Sequence, residues 1–453
     1  MQNTLSPTPQ QVALVGATGR TWFTRTRIIG LIGLVVALLL ILGVYRNLSG
    51  KLAEAQATNA ATAPASIWSY VTTLNVPQTG GVIGQPLFRI PLPTMATVLL
   101  IQGVLGVLGA YLIVRQPLRW STAYASAMIG LAFFTILLWA VAGSSVDIVD
   151  VLARVVRLAT PLTLGALAGL ICERSGVVNI GIEGTMLTAA CLGYIAAILS
   201  GSTWIGVLAA MLTGALISAL HALLSVTFKV DQTISGTVIN LLAVGVTGYL
   251  RGGFIINYER INGSAITAGQ LKTTPIPLLS QIPVIGPVIF NHAPITYAML
   301  ILVFVVNLLL FRTVWGLRTR AVGEQPKAAD TVGIPVNRLR FRNVVVSGLI
   351  SGLAGAWFSL ESTFRFDDVM TNGRGFIALA AMIFGKWTPL GAFGGALLFS
   401  SADALQIKLQ GFNFALPRQF LQMLPYIVTL IVLAGLIGRA RPPAAVGKPY
   451  EKG

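Results

Sequence analysis

The sequence predicts an all-α, polytopic transmembrane helix bundle of about 10–12 spans with no soluble domain. Three observations carry this expectation. Of 453 residues, 55% are hydrophobic and only 10% are charged, whereas soluble domains carry about 25% charged residues. The apolar residues are bunched in runs of roughly 17 to 25, the length a helix needs to cross ~30 Å of hydrocarbon. No strand alternation and no long-period repeat interrupts them. A water-soluble globular enzyme is excluded.

In chain order the runs fall near 28–45, 95–114, 122–142, 154–171, 183–200, 203–227, 232–250, 293–311, 343–360, 375–385, 388–403 and 420–438, with charged or Pro/Gly breaks between them. The run at 375–385 is too short to cross alone. It fits a re-entrant half-helix, which needs protein or an aqueous cavity over its loose backbone groups. The first run has a rival reading as a secretory signal, with Arg20, Arg25 and Arg27 before it and Ala53-Glu54-Ala55 after it. The basic leader is long for a signal and the small-residue site lies well past the run, so a retained span is expected.

The net charge is +17, from 31 Lys and Arg against 14 Asp and Glu. With the N-terminus placed inside, most of those cations fall in inner segments: Arg115 and Arg119, Arg174, Lys229, the loop 312–342, Lys386, and Arg439, Arg441, Lys448 and Lys452. This is the positive-inside bias rather than a nucleic-acid footprint, and it places both termini in the cytoplasm. The expected organisation is a cytoplasmic tail (1–27), N-terminal spans (28–150) around an Ala-, Thr- and Pro-rich extracytoplasmic linker (46–94), a core (151–438) with a cytoplasmic loop (312–342), and a cytoplasmic tail (439–453). The Pro-rich outer loop 251–292 is either a lid or a plain connector. Cys172 and Cys191 form no disulfide framework or zinc set, and His221 and His292 are isolated, so no metal site is expected.

Lipid tails give apolar helices no hydrophobic reason to associate, so close packing through small residues must supply it. Gly103, Gly106 and Gly109, then Gly348, Gly352 and Gly355, and the pair Gly391 and Gly395 fit that need.

Four polar segments stand out against this background. Glu173-Arg174-Ser175-Gly176-Val177-Val178-Asn179-Ile180-Gly181-Ile182-Glu183-Gly184 joins two spans on the inner side. Its glycines let a broken helix bend, and Asn179 and Glu183 would share a helical face. Ionisable groups at membrane depth are functional candidates. The competing reading has them capping helix ends and pairing with Arg174. Asp231-Gln232-Thr233-Ile234-Ser235-Gly236 opens the next span, where Asp231 or Thr233 suits an N-cap, and Gln232, Thr237 and Asn240 suit a polar pathway. Asn372-Gly373-Arg374-Gly375-Phe376 opens the half-helix, whose N-terminus projects positive potential into the bundle.

The fourth segment, Gly323 to Pro335 in the loop 312–342, reads as a short isolated helix. Pro326 suits its first position, Glu324 favours the positive end, Gly333 suits the position past its end, and Pro335 blocks continuation. A helix of about seven residues is not stable alone in water. It has to lie on headgroups, on its own bundle or on a partner, and the small face of Ala328 and Ala329 favours a partner.

Together with Arg320–Ile334 and Gly373–Phe384, these segments resemble the permease subunits of bacterial ABC importers for nucleosides and simple sugars, related to the branched-chain amino-acid permeases. The nucleoside branch is the nearest match. The resemblance runs from roughly residue 155 to the tail Ala445-Val446-Gly447-Lys448-Pro449-Tyr450. It implies a non-enzymatic permease subunit of the bacterial inner membrane that imports nucleosides by alternating access. The implied partners are a second permease subunit (identical or paralogous), an ABC ATPase subunit holding ATP and magnesium, and an extracytoplasmic solute-binding lipoprotein. Gly323, Glu324, Pro326, Ala328, Ala329, Asp330 and Gly333 match the loop that docks on the ATPase. None of the Gly-Lys pairs of this chain stands in a phosphate-binding Walker A context. Asn179, Glu183, Gln232 and Asn240 are the expected solute-pathway residues. The alternatives are a simple-sugar permease, or an ion-coupled transporter in which Glu183 or Asp231 carries the proton.

Overall fold

The computed structural model describes residues 25–57, 71–77, 86–115, 145–263, 268–410 and 441–451, with a few isolated positions besides. Among the described residues, nine helices are long and apolar enough to cross a membrane. The expected spans at 122–142 and 420–438 lie outside the described residues, apart from isolated positions. The expected all-α bundle is the architecture found.

Two compact units are present. The first contains α1 (Arg25–Ala57) and α2 (Thr94–Arg115). The two helices cross at Gly30 and Gly109, where a Cβ on Gly109 would lie 2.8 Å from the Gly30 carbonyl oxygen. Among the described residues Gly103 has no neighbour within reach and Gly106 only an ordinary contact with Leu34, so Gly109 is the member of that triplet whose position requires a glycine. α1 runs on to Ala57, so the expected linker 46–94 begins as helix. It also carries two strands, β1 (Val71–Pro77) and β2 (Pro86–Pro93), which sequence alternation did not reveal: polar Thr72 and Thr73 stand side by side in β1, and Pro91 interrupts β2.

The second unit is built on α3 (Ile148–Arg174), α4 (Ile182–Ser200) and α12 (Val336–Ala356). Around these pack α5 (Thr203–Ala222), α6 (Gln232–Leu250) with its continuation α7 (Ile256–Asn262), and α9 (Pro294–Arg312). The short α13 (Arg374–Phe384) and the longer α14 (Pro389–Gln410) complete the unit. The most apolar stretches of α3, α4 and the span Val336–Ser362 are 83%, 78% and 83% buried, against 22% for Gln232–Asn262. The first three are therefore the core, and α6 is the periphery.

Small residues set the helix spacing, as expected. A Cβ on Gly214 of α5 would lie 2.7 Å from Gly352 Cα of α12, and one on Gly355 would lie 2.8 Å from the Ala189 side chain of α4. α3 starts earlier than the apolar run suggests because Asp147 caps it, accepting from the Val149 and Asp150 N–H groups at 2.9 and 3.1 Å.

The loop 263–293 holds a small helix, α8 (Ile285–Ile289), and an antiparallel pair of β3 (Thr274–Pro275) with β4 (Asn291–His292). It is tied down at one end of the bundle. Leu271 N–H donates to the Leu360 carbonyl at 3.0 Å, and the Gln270 amide donates to the Glu361 and Ser362 carbonyls at 2.7 and 2.8 Å.

Candidate functional site

The stretch between α3 and α4 is a buried strip rather than a surface loop. The chain leaves α3 at Ser175, turns at Gly176 (φ +90°) and runs without helix to Gly181 before α4 begins. Asn179 therefore lies on irregular backbone and shares no helical face with Glu183. A backbone stripped of helix inside an apolar bundle needs every N–H and C=O supplied from outside. Residues of α5 and α6 supply part of that need. Val178 N–H donates to Gln232 Oε1 at 2.7 Å, and the Val178 carbonyl accepts from His221 Nε2 at 2.9 Å. His221 Nδ1 lies 3.0 Å from Ser235 Oγ. The Asn240 amide donates to the Ile180 carbonyl at 3.1 Å, and its oxygen accepts from Gly184 N–H at 2.8 Å.

These bonds require close backbone approach. A Cβ on Gly236 would lie 2.8 Å from Gly181 N, and one on Gly184 would lie 2.8 Å from Asn240 Cα. At the start of α6, Asp231 is the N-cap, accepting from Thr233 and Ile234 N–H at 2.9 and 3.0 Å.

Glu183 reaches the half-helix α13. Its Oε1 accepts from Thr371 Oγ at 2.6 Å and Gly373 N–H at 2.8 Å, and its Oε2 accepts from Gly375 N–H at 2.6 Å. No side chain of α13 caps its own N-terminus, so a carboxylate from another helix does, where the helix dipole favours it. Glu183 makes no ion pair with Arg174. The Arg174 guanidinium donates twice to the Trp387 carbonyl at 2.9 and 2.7 Å, while Trp387 Nε1 donates to Glu173 Oε2 at 2.6 Å. Trp387 thus fastens the turn after α13 to the end of α3.

Of the four expected pathway residues, the structure brings all four to this junction. Glu183 and Asn240 have their polar groups engaged within the protein. Asn179 Oδ1 and Gln232 Nε2 are buried and have no hydrogen-bond partner among the described residues. Sequence reasoning missed His221 and Thr371. The signal available for His221 was a lone histidine inside an apolar run.

The second cluster lies where α3 ends. α10 (Val314–Glu324) and α11 (Pro326–Thr331) form a hairpin held to α12 by Asn343, which accepts from Trp315 Nε1 at 3.1 Å and donates to Thr319 Oγ at 3.1 Å. Pro326 is the first residue of α11, and Gly333 at φ +82° closes it. Gly333 N–H bonds the Asp330 carbonyl at 2.9 Å and Ile334 N–H bonds the Ala329 carbonyl at 3.1 Å, the paired bonds of a Schellman stop. Ala328 and Ala329 part company: Ala329 is buried with Val322, Val336, Leu339 and Tyr450, while Ala328 is exposed beside Lys327 and Val332. Gly323 sits so close to α3 that a Cβ would run into the Arg174 carbonyl.

The tail 441–451 straps this cluster together. Ala445 N–H donates to the Gly323 carbonyl at 2.9 Å, Gly447 N–H to the Gly176 carbonyl at 3.2 Å, and Ala444 N–H to Glu324 Oε2 at 3.2 Å. Arg340 donates to the Lys448 carbonyl at 2.8 Å, and Lys229 pairs with Glu451 at 2.9 Å. One strand of chain therefore touches both the hairpin and the buried strip.

The model of the permease component of the branched-chain amino acid transport system matches residues 151–433, which include the hairpin, the strip and the half-helix. The chain belongs to that family. The permease is 42% identical over 320 residues to the guanosine ABC transporter permease protein NupQ of Bacillus subtilis, covering 68% of this chain and 99% of that protein. It is 38% identical over 312 residues to the nucleoside ABC transporter permease protein NupC of Lactococcus lactis, covering 67% and 96%. It is 25% identical to a second guanosine ABC transporter permease protein of Bacillus subtilis, NupP, over 66% of this chain and 84% of that one. No solved structure matches. The protein is a multi-pass membrane transporter subunit.

Proposed function

We propose that this permease lines the solute pathway of an ATP-driven nucleoside importer and takes its mechanical work through α11. The observation that carries the reading is the hairpin itself. Its short helix is opened by Pro326, stopped at Gly333 and seated by one inward residue, with Lys327, Ala328, Thr331 and Val332 left on an outward face. Val332, at 75% exposure, is an apolar surface that no described residue covers. Gly323, Glu324, Pro326, Ala328, Ala329, Asp330 and Gly333 form the seat and rim of that contact with an ABC ATPase subunit in the cytoplasm, which holds ATP and magnesium. Both termini then face the cytoplasm of a bacterial cell, and an extracytoplasmic lipoprotein delivers solute.

The nucleoside assignment is supported by NupQ and NupC, at 42% and 38% identity. Bacillus subtilis has two guanosine permeases, NupQ and NupP, which supports a paralogue as the second subunit here. Closure of the ATPase pushes α11, the strap and the α3 end carry the push to the strip, and the strip reorients α4 and α13. Asn179 and Gln232, with spare polar groups, are the solute contacts of this scheme, whereas Glu183 and Asn240 hold the broken helices in place.

The test is nucleoside uptake into proteoliposomes holding the whole complex. Uptake is expected only with internal ATP and the lipoprotein, and it should survive a protonophore. Uptake that needs no ATPase subunit and stops with the protonophore would favour an ion-coupled carrier instead. Preferential competition by free sugars over nucleosides would favour the sugar reading.

A further inference from the structure

A cavity of about 480 Å³ opens between the end of α5 and the start of α12, at the side of the bundle. Val226 and Thr227 at the end of one helix and Lys229 just beyond it line one side, and Arg338, Phe341 and Arg342 of α12 the other. Lys229 is shared with Glu451, but Arg338 and Arg342 are exposed and have no hydrogen bond or ion pair among the described residues. The candidate spans Thr203–Thr227 and Val336–Ser362 both have an end here, so the cavity sits where two helices leave the hydrocarbon. That is headgroup level.

The wall of the cavity between its cations is apolar, formed by Val226 and Phe341. Val346, exposed, follows Arg342 by one helical turn on α12, whereas the exposed Leu216, Leu220 and Leu223 lie on the face of α5 turned away from α12. The last turn of α5 is widened into a π-turn at Leu223–Thr227, which brings Val226 and Thr227 to the mouth of the cavity. Tight contact of α5 and α12 through Gly214, Gly348 and Gly352 keeps the groove between them shallow. A cavity with three cations, an apolar wall and Val346 one turn along fits a phospholipid: a phosphate on the guanidinium groups and an acyl chain against Val226, Phe341 and Val346. Basic pockets between spans on the cytoplasmic side take anionic headgroups by this charge matching.

We infer that this cavity is a binding site for an anionic phospholipid, with Arg338 and Arg342 holding its phosphate and Lys229 flanking it. An acidic patch on a protein partner would match the charges but not the apolar wall of Val226 and Phe341 at the end of two spans, so the lipid accounts for more of the surface.

The test uses the full-length permease, purified in detergent and delipidated. Dioctanoyl phosphatidylglycerol, dioctanoyl phosphatidylcholine and inorganic phosphate are titrated in turn, with bound molecules counted by native mass spectrometry. Phosphatidylglycerol is expected to bind at least tenfold tighter than either of the others. The double variant Arg338→Gln/Arg342→Gln should lose about tenfold for phosphatidylglycerol and little for phosphatidylcholine. Both side chains are exposed and unpaired, so its melting temperature should match the wild type, and Arg338→Lys/Arg342→Lys should restore part of the affinity. Equal affinity for the two lipids, equal affinity of the wild type and the double glutamine variant, or phosphate binding as tight as phosphatidylglycerol overturns the site. So does a double variant that keeps its lipid but no longer co-purifies with the ATPase subunit, which would give this face to a protein.

Discussion

The carboxylate of Glu183, in the first turn of α4, accepts the Gly375 N–H at 2.6 Å in the first turn of α13, and a Cβ on Gly375 would lie 2.6 Å from Glu183 Cα. Two helix beginnings are joined through one acidic side chain and one residue without a side chain. Hydrogen bonds to a charged group contribute about 1.5–3 kcal/mol each, and the N–H groups left behind carry a further desolvation cost.

Replacing Glu183 by Ala is therefore expected to destabilise the permease by roughly 3 kcal/mol or more, since Thr371, Gly373 and Gly375 all lose their acceptor. Glu183→Gln keeps one acceptor oxygen and should fall between. Tryptophan-fluorescence melting in detergent, run beside nucleoside uptake, separates positioning from solute contact. A Gln variant that melts like the wild type yet transports nothing would move Glu183 from scaffold to pathway.

Gly323 offers a sharper test of coupling. Any side chain there collides with the Arg174 carbonyl, which is backbone and cannot swing aside. Gly323→Val should lift the α10–α11 hairpin off α3 while leaving the spans packed. The expected outcome is ATPase activity that no longer responds to the loaded lipoprotein, with uptake reduced at least tenfold and the melting temperature nearly unchanged. Ala328→Trp, on the exposed face, should weaken recovery of the ATPase subunit with the permease.

Much of this was legible in the residues. Pro326, Gly333 and Pro335 mark the ends of α11 because helix termini have local chemical requirements, and those do not depend on the rest of the fold. The half-helix at Arg374–Phe384 was visible as a run too short to cross. The strip at 175–181 was not. Its partners His221, Gln232 and Asn240 are some 40 to 60 positions away, and no periodicity links a backbone carbonyl to a distant amide. A capping role for Glu183 was one of the two readings, but the helix it caps was illegible for the same reason: the sequence shows a carboxylate four residues from Asn179, and the bundle uses it on a helix almost two hundred positions later. The strap was hidden because eleven residues of Pro, Ala and Gly character carry no pattern of their own.

His292 gives a pH-dependent test outside the spans. Burial lowers its pKa below the ordinary value of 6.5, partly countered by the bond from Nε2 to the Val288 carbonyl at 2.8 Å, and Arg157 lowers it further. The folded loop thus prefers neutral imidazole, and the unfolded loop binds the proton more readily. Stability is present above the unfolded value and declines as pH falls below it. The imidazole proton resonance of selectively labelled permease should titrate below 6.5. Local opening of 274–292, followed by hydrogen exchange corrected for intrinsic rates, should increase between about pH 7.5 and 5.5, and His292→Asn should flatten that dependence.

The strap makes the last prediction, because it contacts hairpin, strip and α12 together from outside the spans. Gly447 bonds Gly176, Ala445 bonds Gly323, and Tyr450 fills the pocket beneath Ala329. The hairpin has its own bonds to Asn343, so it should remain folded without the strap but lose its fixed distance to the strip. Deletion of 443–453 is expected to leave the melting temperature of the spans almost intact, to raise hydrogen exchange over 320–334, and to uncouple ATP hydrolysis from uptake. Tyr450→Ala should reproduce much of that phenotype, because it empties the buried seat of α11. Lys229→Ala should not, since Lys229–Glu451 is a solvent-exposed pair screened by water and salt. The order of the three variants therefore reports whether the tail acts through packing or through charge. Wild-type coupling in the deletion would show that the push reaches the strip through the Gly323–Arg174 contact alone.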